Sequence, residues 1–341
     1  MVSKKLVAMA VAVAFNATGA PAETVTARVG VIPVIGAAPL FVAEKEGWLR
    51  EGGLELQTKL FESGPNIVQA AASGGVDIYV AGVAPAAVGR AKGIDLRVVA
   101  ALAVDENVLA GGAKLRAFFK KGVTPAAAFK AFHAANGKPA KIATQPPGSV
   151  PAANLQYWLR EVIHADPADV EIISIGIDAT QQALLANAVE AATVREPTLT
   201  IVRQANPEIA LLAGGSELFP GQPGTVAAVS KDFLEKHPQQ VQALVDGLVR
   251  AVDELQKNPD RAAPHVEAAL SKGIVDGATI RKSLSSPAAH FVVDPKAITQ
   301  STRALLAYQV VLGVADKAPS VDGLFDLSFF EKTKSEKTSG K

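Results

Sequence analysis

The sequence predicts an α/β protein of two similar units with mainly parallel sheets, followed by a helical segment. Three observations carry this reading. Short apolar runs alternate with helical patterns from Thr26 onward, and the alternation recurs as a second series after Thr124. From Val226 it gives way to one strand-like stretch and then a long helix.

The elements follow in order. "TARVGVIP" (Thr26–Pro33) is a strand, and "APLFVAEKEGWLREGG" (Ala38–Gly53) spaces its apolar residues as a helix that closes on a glycine pair. "LELQTKLF" (Leu54–Phe61) alternates as a strand, and "PNIVQAAASGG" (Pro65–Gly75) reads as a short helix with proline in its first turn. The strand from Asp77 to Val80, the helix "APAAVGRAKG" (Ala84–Gly93) and the strand "LRVVAAL" (Leu96–Leu102) complete the first unit. In the second unit, helices are expected over Thr124–Gly137, Ser149–Ile163 and Asp178–Asn187, with strands over Lys141–Thr144, Glu171–Gly176 and Ala188–Val194. Helical segments then run from the 230s to about Leu312.

Two units in one chain need passages between them. Gly-containing stretches at Ala110–Gly112 and Gln222–Thr225 are the expected crossovers. They divide the chain into a first lobe of residues 23–111 plus 225–330 and a second lobe of residues 112–224. The lysine-rich end, residues 331–341, is expected to be a flexible, solvated tail.

The start of the chain reads as a leader rather than as fold. Lys4 and Lys5 precede an apolar run from Leu6 to Phe15, and Ala20-Pro21-Ala22 has the small-residue spacing of a cleavage site. An exported mature chain beginning near Glu23 is therefore expected. Losing Lys4 and Lys5 takes the formal charge from +1 to near −1, with both signs interspersed, which argues against nucleic acid and anionic membranes as partners. The chain has no cysteine, so it needs no disulfides and offers no N-terminal thiol for a lipid; residence free in a periplasm is expected.

Long stretches of the chain resemble a known family. "GVIPVIGAAPLFVAEKEGWLREGG", the "SGP" turn, "GGVDIYVAG" with the "AP" after it, "KIATQPPGSVPAANLQYWLREV" and "AVEAATVREPTLT" occur in the order seen in periplasmic solute-binding proteins of ABC importers. The branch they resemble takes nitrate, sulfonates and taurine, the NMT1-like group, and the likeness runs to roughly Leu270. It implies a type II periplasmic-binding-protein fold: two lobes joined by two crossovers that close on a ligand by a hinge, with the helical tail against lobe one. It also implies a small-molecule solute, a membrane permease as partner, a monomer and no cofactor. A subunit that reports occupancy to a membrane receptor is the nearest alternative. A pyrimidine-synthase-like enzyme on the same scaffold depends on cysteines this chain lacks.

In such a cleft the ligand meets strand ends and helix starts, whose spare N–H groups hold anions when no bulky side chain intervenes. "AGVAPA" offers a nearly bare helix start, and Gly82, Val83 and Ala84 are the expected main-chain donors; the other reading is a tight turn needing small residues. Ile35, Gly36, Ala37 and Ala38 stand at a second helix start, and Ser63, Gly64 and Asn66 at a third. Gly148 and Ser149 open a helix of lobe two, where Ser149 suits an N-cap as well as a ligand. Arg195, followed by Glu196, ends a strand and could clamp a carboxylate or sulfonate with paired hydrogen bonds, or form an internal ion pair. As an anion clamp, Arg195 replaced by alanine is expected to weaken binding at least tenfold, with little effect on melting temperature. Asp105 and Glu106 follow the fourth strand and suit an amine, a lock onto Arg195, or a solvated turn.

Chemistry beyond binding has no visible apparatus. The five histidines are far apart, without metal-ligand spacing, and neither a nucleophile elbow nor a phosphate-binding glycine loop occurs. Trp48 and Trp158 sit at core-like helical positions. A binding protein, not an enzyme, is expected.

Overall fold

A computed structural model describes residues 24–270 and 275–339. The expected leader and its cleavage site lie outside the described residues.

Lobe one begins with β1 (Val25–Val31), a 3-10 turn at Ile35–Ala37, and helices α1 (Ala38–Lys45) and α2 (Trp48–Glu51). The sequence reads these helices as one; they break at Gly47, whose φ of 81° is left-handed and ends α1. Then come β2 (Leu54–Leu60), α3 (Gly64–Ala72), β3 (Ile78–Gly82), α4 (Val83–Ala91) and β4 (Leu96–Ala101). A short strand β5 (Ala103–Val104) precedes lobe two, which starts with β6 (Val108–Gly111) and α5 (Ala113–Arg116). The second series is α6 (Pro125–Asn136), β7 (Ala140–Thr144), α7 (Val150–Tyr157), β8 (Val170–Ser174), α8 (Ile177–Leu185), β9 (Ala191–Val194), α9 (Thr198–Ala205), β10 (Ala210–Ala213) and α10 (Gly215–Leu218). The chain returns through β11 (Thr225–Ser230) to α11 (Lys231–Lys236), α12 (Pro238–Lys257), α13 (Pro259–Leu270), α14 (Gly277–Leu284), β12 (His290–Phe291), α15 (Thr299–Val311) and α16 (Ser328–Ser339).

Each lobe is built on one five-stranded sheet. The first has the order β2-β1-β3-β11-β4, with β1 parallel to β2 and β3 and the returning β11 antiparallel to both neighbours. The second has the order β10-β6-β9-β7-β8, with β6 antiparallel to β10 and β9. Each sheet thus carries one antiparallel strand supplied by a passage between the lobes. Because β6 belongs to the second sheet, the first passage lies at residues 105–107, ahead of the expected Ala110–Gly112. The four residues of β6 are too short and too uniformly apolar to announce a strand, and Leu109 faces one core of lobe two while Val108 and Ala110 face the other.

The C-terminal helices pack mainly on lobe one. α12 buries Val241, Leu244, Val245 and Leu248 in its core, against α1. The expected flexible tail is corrected: residues up to Ser339 form α16. The amide of Gln242 on α12 donates to the Phe329 carbonyl at 3.1 Å and to the Thr333 hydroxyl at 2.9 Å, and Phe329 and Phe330 pack on the lobe-one core. Charge density hid this docking, because the anchoring residues are few among the lysines. Among the described residues, no helix is long and apolar enough to cross a membrane.

Candidate ligand-binding site

The lobes meet along a cleft onto which four helix starts converge. From lobe one come α3, capped by the Ser63 hydroxyl accepting from Asn66 N–H at 3.4 Å, and α4, capped at Gly82. From lobe two come α7, capped by the Ser149 hydroxyl accepting from Ala152 N–H at 3.3 Å, and α8. Residues at all four starts line one small cavity: Ser63 with Gly64, Gly82 with Pro85, Ser149 with Val150, and Ile177. Gln145 and Arg195 complete its polar wall. A second cavity shares Gln145, Ile177 and Arg195 and adds Thr180, Thr193 and Thr198. Each is about 10 Å³, room for little more than one water-sized body.

Contact between the lobes makes the site this tight. A Cβ on Gly82 would lie 2.7 Å from Val150 Cγ2 and 3.7 Å from Arg195 Nη2, so glycine here is what lets lobe two approach. Gly64 is bare for a neighbouring reason, since a Cβ there would meet the Tyr79 hydroxyl at 2.6 Å. The Tyr79 hydroxyl itself donates to the Gly82 carbonyl at 2.6 Å and holds the end of β3 in place. Across the cleft, Ile35 N–H donates to the Glu196 carbonyl at 2.8 Å, and Glu62 of lobe one accepts from Asp178 N–H at the start of α8 at 3.2 Å.

Arg195 is the one charged side chain among the residues lining the two cavities. It is 7% exposed, and its Nε lies 3.4 Å from Glu106 Oε1. Burial pushes the guanidinium down from its ordinary value, against the opposing pull of Glu106 and Tyr79, and a guanidinium so placed keeps its charge. Glu106 Oε1 also accepts from the Thr225 hydroxyl at 2.7 Å. Of the readings open for Glu106, the structure pairs it with Arg195 and leaves it buried rather than in a solvated turn. Asp105, at φ 51°, turns the chain beside it.

The sequence-derived candidates separate into two groups. Ser63, Gly64, Gly82, Ser149 and Arg195 are brought together at the cavity. The others stand elsewhere. Ala37 and Ala38 are in the lobe-one core, and Ile35 reaches the cleft only through its backbone. Gly36 packs beneath the Glu106 carboxylate. Asn66 is exposed with its backbone N–H on Ser63. Val83 and Ala84 are fully buried, and the Val83 N–H, expected to be a free donor, is taken by the Gly224 carbonyl at 3.2 Å. Gly148 lines a separate outer groove with Val68, Val88 and Val314.

Glu196 turns away from the cleft. It accepts from the Thr200 backbone and hydroxyl, each at 3.0 Å, and from Ser283 and Ser286 around α14. The peptide between it and Pro197 is cis, and its carboxyl is pushed up by burial, with Ser286, Thr200 and Ser283 opposing. The residues that sequence reasoning missed, Gln145, Ile177, Thr180 and Thr193, come from lobe-two strand ends and the α8 start. "SIGID" carried the same strand-to-helix signal as the other starts.

Among the described residues, no group of three or more His, Cys, Asp or Glu could hold a metal ion. His133 pairs with Asp169 at 2.8 Å and His265 with Glu46 at 3.0 Å, both away from the cavity-lining residues.

Comparison with known proteins gives a consistent picture. Residues 20–270 match the NMT1-like family. The bicarbonate-binding protein CmpA of Synechococcus elongatus is 24% identical over 257 residues, which cover 70% of this chain and 56% of that protein. The chain thus spans about half the length of that curated relative. The periplasmic nitrate-binding protein NrtA from Synechocystis PCC 6803 superposes with a TM-score of 0.77 at 18% identity, covering 93% of this chain and 90% of that one. The alkanesulfonate-binding protein SsuA from Xanthomonas axonopodis pv. citri, bound to MOPS, gives 0.68 at 19% identity, covering 90% and 100%. The architecture is the two-lobe fold of periplasmic binding proteins.

Proposed function

Because the chain belongs to the NMT1-like family, we propose that it is the substrate-binding component of an ATP-binding-cassette importer. In this reading it captures a small anionic solute between its lobes in the periplasm and delivers it to a membrane permease. One observation carries the proposal: a buried guanidinium, Arg195, stands where four helix N-termini from both lobes converge. Helix starts hold negative charge through unpaired N–H groups and the aligned peptide dipoles, and a guanidinium adds a directional two-pronged clamp.

The relatives' named ligands, bicarbonate, nitrate and an alkanesulfonate, are all small anions and support the same reading. The size of the closed cavities favours a compact head group of carboxylate or sulfonate kind. Entry requires the lobes to part, so the solute binds an open form and its extra contacts with the second lobe draw the equilibrium toward closure. A thermal-shift and calorimetric screen of nitrate, bicarbonate, short carboxylates and short sulfonates tests this. At least one is expected to bind, and Arg195→Gln is expected to weaken it at least tenfold. A chain that binds only cations or neutral solutes sinks the proposal.

A further inference from the structure

An acid beside an anion site is unexpected, because it repels the ligand the site is built to hold. Yet Glu106, 2% exposed, sits against Arg195, the one guanidinium among the described residues that line the two cavities. The chain makes room for this carboxylate at two glycines. A Cβ on Gly36 would collide with Oε2, while one on Gly224 would meet the Ala103 carbonyl oxygen at 2.5 Å and then Oε1 at 3.0 Å. Nor is Glu106 there to orient Arg195. The 3.4 Å contact brings the charges together without an aligned hydrogen bond, and both Arg195 Nε and Glu106 Oε2 lack hydrogen-bond partners. What Glu106 supplies is charge: it makes the buried pair with Arg195 formally neutral, where Arg195 alone would carry +1.

A singly charged anion entering such a site is held by Arg195 and the four helix starts, and Glu106 subtracts part of that attraction. For a doubly charged anion, attraction to Arg195 and the dipoles and repulsion from Glu106 all double, so Glu106 cancels the part of the gain that Arg195 would otherwise add. The cost of leaving water rises with the square of the charge, so it outgrows the gain. Resting on the proposed capture of an anion at Arg195, we infer that Glu106 is a specificity-determining residue that restricts the cleft to singly charged anions.

Methanesulfonate and sulfate test this, since they share a sulfonyl head and differ by one unit of charge. Both are titrated calorimetrically at constant ionic strength into the wild-type chain, Glu106→Gln and Thr225→Val. Wild type is expected to prefer methanesulfonate at least tenfold. Glu106→Gln keeps the shape but not the charge, and should move the ratio at least tenfold toward sulfate. Thr225→Val removes the hydrogen bond on Glu106 while keeping both charges, and should hold the wild-type ratio within about threefold.

The inference is overturned if wild type takes sulfate as tightly as methanesulfonate. It is equally overturned if Glu106→Gln leaves the ratio unmoved or binds neither ion. Should Glu106→Gln fail to fold, the wild-type ratio decides. A wild type that loses a monoanion with Arg195→Gln, beside an unmoved ratio in Glu106→Gln, removes the charge filter and leaves the capture reading standing.

Discussion

Arg195 does two jobs that pull against each other: it balances a buried acid and faces the cavity. The expectation that Arg195→Ala spares the melting temperature therefore does not survive the structure. That variant leaves Glu106 buried without its counter-charge, and breaking a buried pair from one side costs about 3–5 kcal/mol. Chemical denaturation should show a loss of that order alongside the loss of anion binding, and an unchanged midpoint would show that the pair is unimportant to folding. Glu196 yields a prediction of opposite kind. Its carboxyl is raised by burial, so the folded state takes up its proton at a higher pH than the unfolded chain. The stability of wild type relative to Glu196→Gln should thus rise as pH falls through the raised value and level off below the ordinary carboxylate range. Paired denaturant titrations from pH 8 to pH 4 measure this; a difference independent of pH contradicts it.

The helix starts work as paired elements, one from each lobe, and Gly82 shows how close the pairing is. Gly82→Ala suits the local φ of −59°, so lobe one should fold normally. The added methyl meets Val150 in the opposite lobe, however, and should reduce anion affinity at least tenfold. Adding Val150→Ala should restore most of it, and a double variant no better than the single one would locate the fault elsewhere. Ser149 raises the question of cap against ligand donor. Aspartate caps as well as serine does, so Ser149→Asp should stay within about 1 kcal/mol of wild-type stability. Its charge points into the proposed anion site, and calorimetry should register a loss of affinity of at least tenfold.

Taken whole, the molecule is two five-stranded sheets held by two passages, and the passages are clasped to each other. Gln222, fully buried, accepts from the Asn107 backbone at 2.8 Å and its side-chain amide at 3.0 Å. Its own amide donates to the carbonyls of Asn107 at 3.0 Å and Gly215 at 2.8 Å. Gln222→Leu strands these groups, at about 1–3 kcal/mol for each one left unsatisfied. A clearly lower melting temperature is expected, together with a larger radius of gyration in solution scattering without ligand. A variant scattering like wild type would mean that the clasp does not govern the angle between lobes.

Local patterns were enough to specify most of the alternating elements, the two lobes, and helix starts with small residues at Gly64, Gly82 and Ser149, though not β6, α9 or β10. Periodicity and capping act over a few residues and are written directly in the chain. Sequence could not show which of these starts face one another, that Val83 had already given its N–H to Gly224, or that Glu196 turns inward while Glu106 turns to Arg195. Those outcomes depend on residues such as Glu106 and Arg195, far apart in the chain and brought together only when β6, β9 and β11 take their places in the sheets. Local propensity carries no record of such distant pairings, and the charge of the site is decided by them.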